Sequence, residues 1–296
     1  MMTKRITLFI TLFTVALVAS AQVKLAYNVN IGDEFTIAQR ATQTITQDIP
    51  GMKQVIENEL KGTMLFKVKH VKKDTIIFDM SFKAFALKMS SPQHGVMMNV
   101  DTAVEDDASS ELLMFKGMLD QLITIKMLRT GKIVEVLNGE AIIEGMIASL
   151  GIEDEAVRKQ MYAQLGKEWS GEALAKSFEQ MTYNYSSKAI KVGSTWKNNF
   201  EGEGKVNADN TWTLDKLSKS TAAISGEATI TMDLTNPQIE MVLNGTQQTL
   251  LVAALDSGFP QSIEVKSSAS GQATSPAMPG VTIPRTLEST TTYKLQ

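Results

Sequence analysis

The chain has 296 residues, of which 43% are hydrophobic and 21% charged, and its formal net charge is −3. These values are ordinary for a globular protein, and without a basic excess to neutralise phosphates the chain is not expected to bind nucleic acid. It contains no cysteine, which excludes disulfides, thiolate nucleophiles and iron–sulfur clusters, and its two histidines leave little for metal binding.

Residues 1–21 have the pattern of a signal peptide. Lys4 and Arg5 give the positive flank, residues 6–18 form a mostly apolar run, and the small residues that follow end at Ala21, the expected cleavage point. The run is shorter than the roughly 20 residues that a membrane-spanning helix needs, so an N-terminal membrane anchor is the less favoured alternative. We therefore predict an exported protein, periplasmic, secreted or at the cell envelope, whose mature chain does not span the membrane.

Two long regions alternate apolar and polar residues, and the region between them does not. Residues 22–137 and 183–296 show the period of two that is typical of strands. Residues 138–182 place their apolar side chains three and four positions apart, which is typical of a helix with one buried face. The sequence thus predicts a first β-rich module, a helical insert and a second β-rich module, in that order, after the signal peptide.

A short element recurs in the two β-rich modules. Residues 29–35 and 190–196 each end a strand, continue through Gly and a polar residue, and place an aromatic side chain two positions later. Turns ending in Gly131 and Gly258 form a second similar pair, and Gly131 is expected to adopt the positive φ of a tight turn. The predicted fold class is α+β: a curved antiparallel β-sheet built from two related β-rich halves, with the helical insert packed on one face.

Local signals predict where several elements begin and end. A short helical turn is compatible with residues 52–58, and a short helix with residues 112–122. Asn138 and Ser170 are expected to be helix N-caps, and Gly151 is expected to be a C-cap.

Three short segments carry a resemblance to known proteins. Residues 31–35, 192–196 and 256–260, in a cysteine-free chain with a signal peptide, resemble a group of uncharacterised exported proteins of Bacteroidota. The resemblance extends over most of the mature chain, its motifs are short and structural, and the group has no established activity; it implies an exported location and no mechanism. An extended antiparallel sheet covered by helices also resembles the fold of periplasmic lipoprotein carriers, which is a fold-level analogy.

Motifs for catalysis and metal binding were sought and not found. The sequence has neither a Gly-x-Ser-x-Gly elbow nor a His-Glu-x-x-His helix. His70 is predicted to end a strand and His94 to lie in a loop, and neither belongs to a nucleophile–base motif. The acidic run at residues 105–107 lacks the spaced pattern of a calcium loop, and the run at residues 153–155 fits the first turn of a helix. We expect no catalytic residue, metal or cofactor.

Methionine is the unusual feature of the composition, with 17 residues. Its flexible and polarizable side chain is common on surfaces that accept varied apolar partners, although plain core filling is the favoured interpretation. Segments rich in Thr and Gln, at residues 42–47 and 246–249, are interpreted as the solvent-facing side of the sheet, or as a surface for carbohydrate or protein. The candidate residues lining an apolar groove between sheet and insert are Phe78, Met80, Phe82, Met146, Met161 and Phe178.

These observations lead to ranked functional hypotheses. The first is a non-enzymatic periplasmic or secreted binding or carrier protein for an apolar ligand, such as a lipid, or an apolar protein segment. The alternative is a cell-envelope module for protein–protein interaction or scaffolding through exposed sheet edges. A metal-independent hydrolase is the least favoured.

Overall fold

The architecture is dominated by strands: 57% of the residues are in strands and 17% in helices. It was obtained as a computed structural model that describes residues 22–49, 51–105, 109–202, 206–235, 239–277 and 279–296. The predicted signal peptide, residues 1–21, lies outside the described residues, as do two of the three residues of the acidic run 105–107.

The described residues form twelve strands and four helices. The strands are β1 Glu34–Ile49, β2 Met52–Val71, β3 Thr75–Ser91, β4 Gly95–Asp101, β5 Ile123–Leu128, β6 Ile133–Leu137, β7 Thr195–Glu201, β8 Val206–Leu217, β9 Thr221–Asp233, β10 Glu240–Ala254, β11 Pro260–Thr274 and β12 Thr282–Leu295. The helices are α1 Ser110–Gly117, α2 Glu140–Ala148, α3 Glu155–Trp169 and α4 Gly171–Thr182.

All the strands belong to one sheet, in the order β6-β5-β3-β2-β1-β12-β11-β10-β9-β8-β7, and β4 pairs with the far end of β3. The pairs between these strands are antiparallel. The central strands are long, and β2 alone has 20 residues. The sheet curves until its two edge strands, β6 and β7, both contact α4, so one face of the sheet becomes an inner face and the other faces solvent.

The period-two pattern sorts side chains between these faces. Across β1 and β2, Ile37 lies opposite Met64 and Gln43 opposite Asn58, and all four lie on the inner face. Inner-face residues build two apolar clusters. The first core, at one end, takes side chains from the central strands, from α1, α2 and α4, and from residues 23–29. The second core, at the other end, consists of Phe200, Ala208, Ala228, Ile230, Met241, Leu243, Ala269, Ala273 and Ile283.

The N-terminal segment, residues 22–30, closes the end of the sheet that holds the first core. Its Val23 forms an antiparallel bridge with Ile190, and its Tyr27 is fully buried and packs against Tyr185 and Phe259 with ring centroids 5.3 and 5.7 Å apart. The two glycines predicted to end turns both have positive φ, +93° at Gly131 and +65° at Gly258.

The predicted α+β fold class is wrong, both in the proportion of helix to strand and in the arrangement of the helices on the sheet. The structure is mainly β, a single large antiparallel sheet with short helices, and it does not show a helical insert mounted on a duplicated sheet. Strand content was underestimated at residues 52–58, where the sequence is compatible with a short helical turn and the structure has the first part of β2. Pairing with β1 and β3 overrides the weak local helical signal of those residues.

Of the three helix-capping residues predicted from the sequence, one caps a helix as expected and two do not. Ser170 is the N-cap of α4, where its side chain accepts a hydrogen bond from Ala173 N. Helix α1, Ser110–Gly117, overlaps the short helix expected at residues 112–122 but begins and ends earlier. Asn138 is not an N-cap; it has φ of +59°, and the cap of α2 is the next residue, Gly139. Gly151 has φ of +63° but lies two residues beyond the C-cap Ser149. The division of the chain at residues 22–137, 138–182 and 183–296 stays a prediction.

No helix in the described part of the chain has the length and apolar character needed to cross a membrane.

Candidate functional site

Helix α4 occupies the gap between the two edges of the sheet. At its C-terminal end, the Glu179 carboxylate accepts a hydrogen bond from Ile133 N of the edge strand β6 at 2.8 Å. The Thr182 hydroxyl donates to Gly131 O at 2.7 Å, in the turn that precedes the same strand. One side-chain acceptor and one side-chain donor of the helix therefore pair with backbone groups at the edge of the sheet.

The opposite edge strand, β7, is held by the backbone that follows α4. Asn198 Nδ2 donates to Tyr183 O at 2.6 Å, and Trp196 Nε1 donates to Asn184 O at 3.1 Å. At the start of α4, Gly171 allows the helix to approach β6 closely, because a Cβ there would lie 2.6 Å from Val136 O. The helix is thereby fixed along the opening of the curved sheet.

Two adjoining cavities lie on the inner face of the sheet beside α4. The first has a volume of about 340 Å³ and the second of about 370 Å³. They share lining residues on both sides: Gln180 of α4, and Phe200, Val206 and Tyr293 of the sheet. Together they form one cleft between the helix and the sheet, in the size range of small-molecule sites.

The second cavity has mainly apolar walls. Phe82 and Phe85 contribute from β3, Met64 from β2, and Phe178 from α4, and Trp169 lines it from the end of α3. Phe82 and Trp169 pack edge to face, with ring centroids 5.8 Å apart. This part of the cleft offers aromatic and aliphatic surface that an apolar group can cover.

The first cavity combines apolar side chains with uncharged polar ones and with one carboxylate, that of Glu179. A row of polar side chains crosses its floor at one level of the sheet, since successive partners in register run from β2 through β1, β12, β11, β10 and β9 to β8. We name this row the polar rung; its members are Asn58, Gln43, Ser289, Ser267, Gln247 and Asn210, with Ala228 between the last two. All of them except Asn58 line the first cavity.

Hydrogen bonds tie parts of the polar rung together. Asn58 Nδ2 donates to Gln43 Oε1 at 3.0 Å, and the hydroxyls of Ser267 and Ser289 lie 2.7 Å apart. The Asn58 Oδ1 atom is buried and has no hydrogen-bond partner within the described residues. Buried polar groups in proteins are normally paired, so this row retains unused hydrogen-bonding capacity beside a cavity.

The electrostatics of the cleft are set by carboxylates. Among the described lining residues the charged side chains are Glu179 in the first cavity and Glu168 in the second. Burial raises the pKa of Glu179, against the opposing effects of the Ile133 N–H and of Lys132. Burial also raises the pKa of Tyr293 to about 12, which keeps its hydroxyl neutral at physiological pH.

The six residues predicted from the sequence to line a groove fall into three places. Phe82 and Phe178 line the second cavity. Phe78, Met80 and Met146 are buried in the first core and line neither cavity. Met161 is half-buried on α3, a helix that buries none of its residues fully.

Several lining residues were missed. Gln43 was assigned to a solvent-facing strand surface, yet it is half-buried on the inner face. Trp169, Phe200 and Tyr293 come from three distant parts of the chain, and no local pattern connects them. Strict alternation along β1 and β10 was a usable signal for two faces, but it does not say which face is the inner one.

No feature of the described residues suggests a bound metal. They contain no group of three His, Asp or Glu side chains arranged to hold an ion. His70 and His94 are both exposed and line neither cavity. Apart from the Glu168 and Glu179 carboxylates, the described residues that line the cleft offer apolar contact and neutral hydrogen bonding.

Solved structures share only weak likeness with this chain. Lipovitellin, described for its lipid–protein interactions, aligns over 90% of this chain at 10% identity, with a TM-score of 0.46; the chain spans 25% of the length of that protein. The translocator domain of the autotransporter NalP from Neisseria meningitidis gives 9% identity, covers 91% of this chain and 90% of its own, and has a TM-score of 0.20. An outer-membrane channel from Pseudomonas putida F1 gives 8% identity over 91% of this chain and 98% of its own, with a TM-score of 0.22. Scores below 0.5 do not establish a shared fold.

The comparisons with sequences give one result. No curated protein matches the chain. Residues 73–260 match the model of a family of unknown function, DUF6263, and the matched range includes β3 to β10 and all four helices.

Proposed function

Since the chain belongs to this family of unknown function, DUF6263, we propose a function from its own geometry: it binds or carries an apolar ligand in the cleft between α4 and the inner face of the sheet. The observation that carries the proposal is the pair of adjoining cavities, of about 340 and 370 Å³, walled largely by apolar side chains. Small-molecule sites are typically concave, mostly apolar and about 300–1,000 Å³ in volume.

The walls of the cleft support binding of a ligand in preference to a long protein segment. The two cavities share Phe200 and Tyr293, so one occupant can contact both. The Asn198 and Glu179 hydrogen bonds attach the region of α4 to both edges, which favours an occupant that fits beneath the helix without displacing it.

We also propose that the protein acts without catalysis and is exported. A nucleophile–base pair is not among the described residues that line the cavities, and a general base needs such a partner within hydrogen-bond reach. The export proposal rests on the signal-peptide pattern of residues 1–21.

The test is to express the full chain with its own leader in a Gram-negative host and to recover it from the periplasm for native mass spectrometry. We expect an added mass that organic extraction removes, and extracted protein that binds the uncharged fluorophore N-phenyl-naphthylamine with a saturable rise in emission. An unliganded mass together with no saturable fluorophore binding would refute the carrier function. Absence from the periplasm would refute the export proposal separately.

A specific observation favours the second candidate, a docking module at the cell envelope. Met52, Val96 and Met97 are exposed by 49%, 59% and 49%. The turn that precedes Val96 and Met97 lies beside the start of β2, because Gln93 of that turn donates to Lys53 O at 3.0 Å. Capture of one envelope protein by the wild-type chain, lost when these three residues are changed to Ser, would favour this candidate; unchanged capture would exclude this surface.

A further inference from the structure

We infer that the ligand is an uncharged amphiphile, with its apolar body in the second cavity and its hydrogen-bonding group on the polar rung of the first. This inference rests on the function proposed above and names the class of ligand for the same cleft. It follows from how polar and charged side chains are distributed along the walls.

The apolar body is assigned to the second cavity because of the side chains that surround it. Phe82, Phe85, Trp169, Leu174 and Phe178 all line it. A hydrocarbon placed there removes apolar surface from water on both partners. Of its polar liners, Glu168, Ser177 and Gln180 are exposed, and Gln39 is half-buried.

The polar group is assigned to the first cavity because a hydrocarbon there would cover amides and hydroxyls without pairing them. Gln43, Ser267, Ser289 and Gln247 all line this cavity. Next to them, the buried Asn58 Oδ1 already lacks a partner among the described residues. A buried polar group without a partner is costly, whereas a ligand hydroxyl or amide would satisfy several of these groups at once.

The ligand is assigned no charge because of the carboxylates in the lining. The described liners of the two cavities include Glu168 and Glu179 and neither Lys nor Arg, so an anionic head group would be desolvated without a cation. A cationic head group would compete for Glu179, whose carboxylate already accepts the Ile133 N–H.

Among the described residues on the inner face of the sheet, Arg285 is the group that argues for an anion. It lies four residues before Ser289 on β12, so it is on the same face, but beside the second core. Its Nη1 points to Met241 Sδ at 3.2 Å and its Nε is buried without a partner in the described part of the chain. Since it lines neither cavity, we assign it no contact with the ligand, and the experiment tests that assignment directly.

The test compares four ligands with the same hydrocarbon chain for displacement of N-phenyl-naphthylamine from the extracted full-length protein at neutral pH. They are lauryl alcohol, lauramide, laurate and laurylamine. We expect the alcohol and the amide to displace the fluorophore at concentrations at least tenfold below those of laurate and laurylamine.

Neighbouring residues of the same type provide matched variants. Gln247 faces the first cavity, and Gln248 is the next residue on β10 and is exposed on the outer face. We expect Gln247→Leu to weaken binding of lauramide about tenfold, the size of effect that loss of one buried hydrogen bond produces, and to weaken fluorophore binding by less. Gln248→Leu should change neither. Ser267→Ala and its outward neighbour Ser268→Ala repeat the comparison if the first variant folds poorly.

Each outcome decides the inference. Laurate binding as tightly as the alcohol, with that affinity lost in Arg285→Met, would show an anionic ligand site. Laurylamine binding most tightly, with loss in Glu179→Gln, would show a cationic one, and equal effects of Gln247→Leu and Gln248→Leu would remove the role of the polar rung. In all three cases fluorophore binding persists and the proposed function survives; if neither the fluorophore nor any lauryl compound binds, the proposed function fails as well.

Discussion

Tyr27 and Arg129 are joined by two reciprocal hydrogen bonds across the closed end of the sheet. Tyr27 N donates to Arg129 O at 2.9 Å, and Arg129 Nη1 donates to Tyr27 O at the same distance. The Tyr27 hydroxyl continues the connection by donating to Thr182 O at 3.1 Å, at the end of α4. The N-terminal segment, a sheet turn and the helix that borders the cleft are therefore held together at one point.

Changing Arg129 to Lys should loosen this closure. The guanidinium also donates through Nε to Lys73 O at 2.9 Å, and a lysine ammonium cannot reproduce two such bonds in a fixed plane. We expect Arg129→Lys to lower the free energy of unfolding by about 1–2 kcal/mol in urea titrations. Lys73→Ala, which removes an exposed side chain beside the same carbonyl, should change it by less than about 0.5 kcal/mol. Equal losses in the two variants would contradict the role of the guanidinium.

Two glycines with the same backbone angle should respond differently to alanine. Gly131 and Gly32 both have φ of +93°. A Cβ at Gly131 would lie 1.7 Å from Thr182 O, whereas a Cβ at Gly32 has no atom within 4 Å. Gly32→Ala should cost about 1–2 kcal/mol, the strain of the left-handed conformation alone. Gly131→Ala should cost at least about 3 kcal/mol or prevent folding, because backbone must also move. Thermal or urea unfolding checks both, and similar losses would contradict the close packing of α4 on this turn.

Filling the second cavity should weaken ligand binding without lowering the free energy of unfolding. Gly62 is a buried liner of that cavity, and a Cβ added there would meet its nearest atoms at 3.9 and 4.0 Å, which is ordinary contact. We expect Gly62→Leu to keep or raise the free energy of unfolding, by up to about 1 kcal/mol, since glycine is unfavourable inside a strand. The same variant should weaken binding of N-phenyl-naphthylamine at least tenfold. Lys61→Leu, on the outer face of the same strand, should leave the affinity unchanged; an unchanged affinity in Gly62→Leu would place the ligand elsewhere.

Glu179 should make stability depend on pH. Its pKa is raised in the folded protein, mainly by burial, so the folded state holds this proton more tightly than the unfolded state does. Folding is therefore favoured below the unfolded pKa of about 4.3, and this contribution is lost as pH rises through the folded pKa. Glu179→Gln cannot ionise and keeps an oxygen to accept the Ile133 N–H. The stability of the wild type relative to Glu179→Gln should thus fall as pH rises from about 4 to neutral, measured by urea unfolding across that range. A relative stability that rises with pH would reverse the assignment.

Met146 and Met161, two of the residues predicted to line the groove, should lose different amounts of stability when changed to Ala. Met146 is fully buried in the first core, so Met146→Ala should cost about 2–5 kcal/mol and leave the fluorophore affinity of folded protein unchanged. Met161 is half-buried on a helix without fully buried residues, so Met161→Ala should cost less than about 1 kcal/mol. A strong loss of fluorophore binding in folded Met146→Ala would return this residue to the site.

Structural features that depend on a few consecutive residues could be predicted from the sequence. The positive φ of Gly131 follows from a tight turn, and the N-cap at Ser170 follows from a hydroxyl placed before a helical pattern. Both are settled by local sterics and local hydrogen bonding. The same reasoning failed at Asn138, where a left-handed backbone conformation puts the residue outside the helix that it was expected to cap.

Structural features that depend on the register between paired strands could not be predicted from the sequence. The polar rung exists because Gln43 of β1 lies opposite both Asn58 and Ser289, and Ser289 comes from the last strand of the chain. Alternation along β1 identifies two faces, but the curvature that makes one of them the inner face comes from the complete sheet. An apolar groove stays a prediction, and of the six residues expected to line it, Phe82 and Phe178 line the second cavity.

The position of α4 also limits how an occupant can exchange with solvent. Hydrogen bonds attach the region of α4 to both edge strands, β6 and β7. If the helix moved away, these edges would be exposed and able to pair with other molecules of the protein, which favours aggregation. An occupant would exchange more readily beside the β7–β8 hairpin, where Phe200 and Val206 line both cavities. Exchange there would leave the hydrogen bonds between the α4 region and the two edge strands intact.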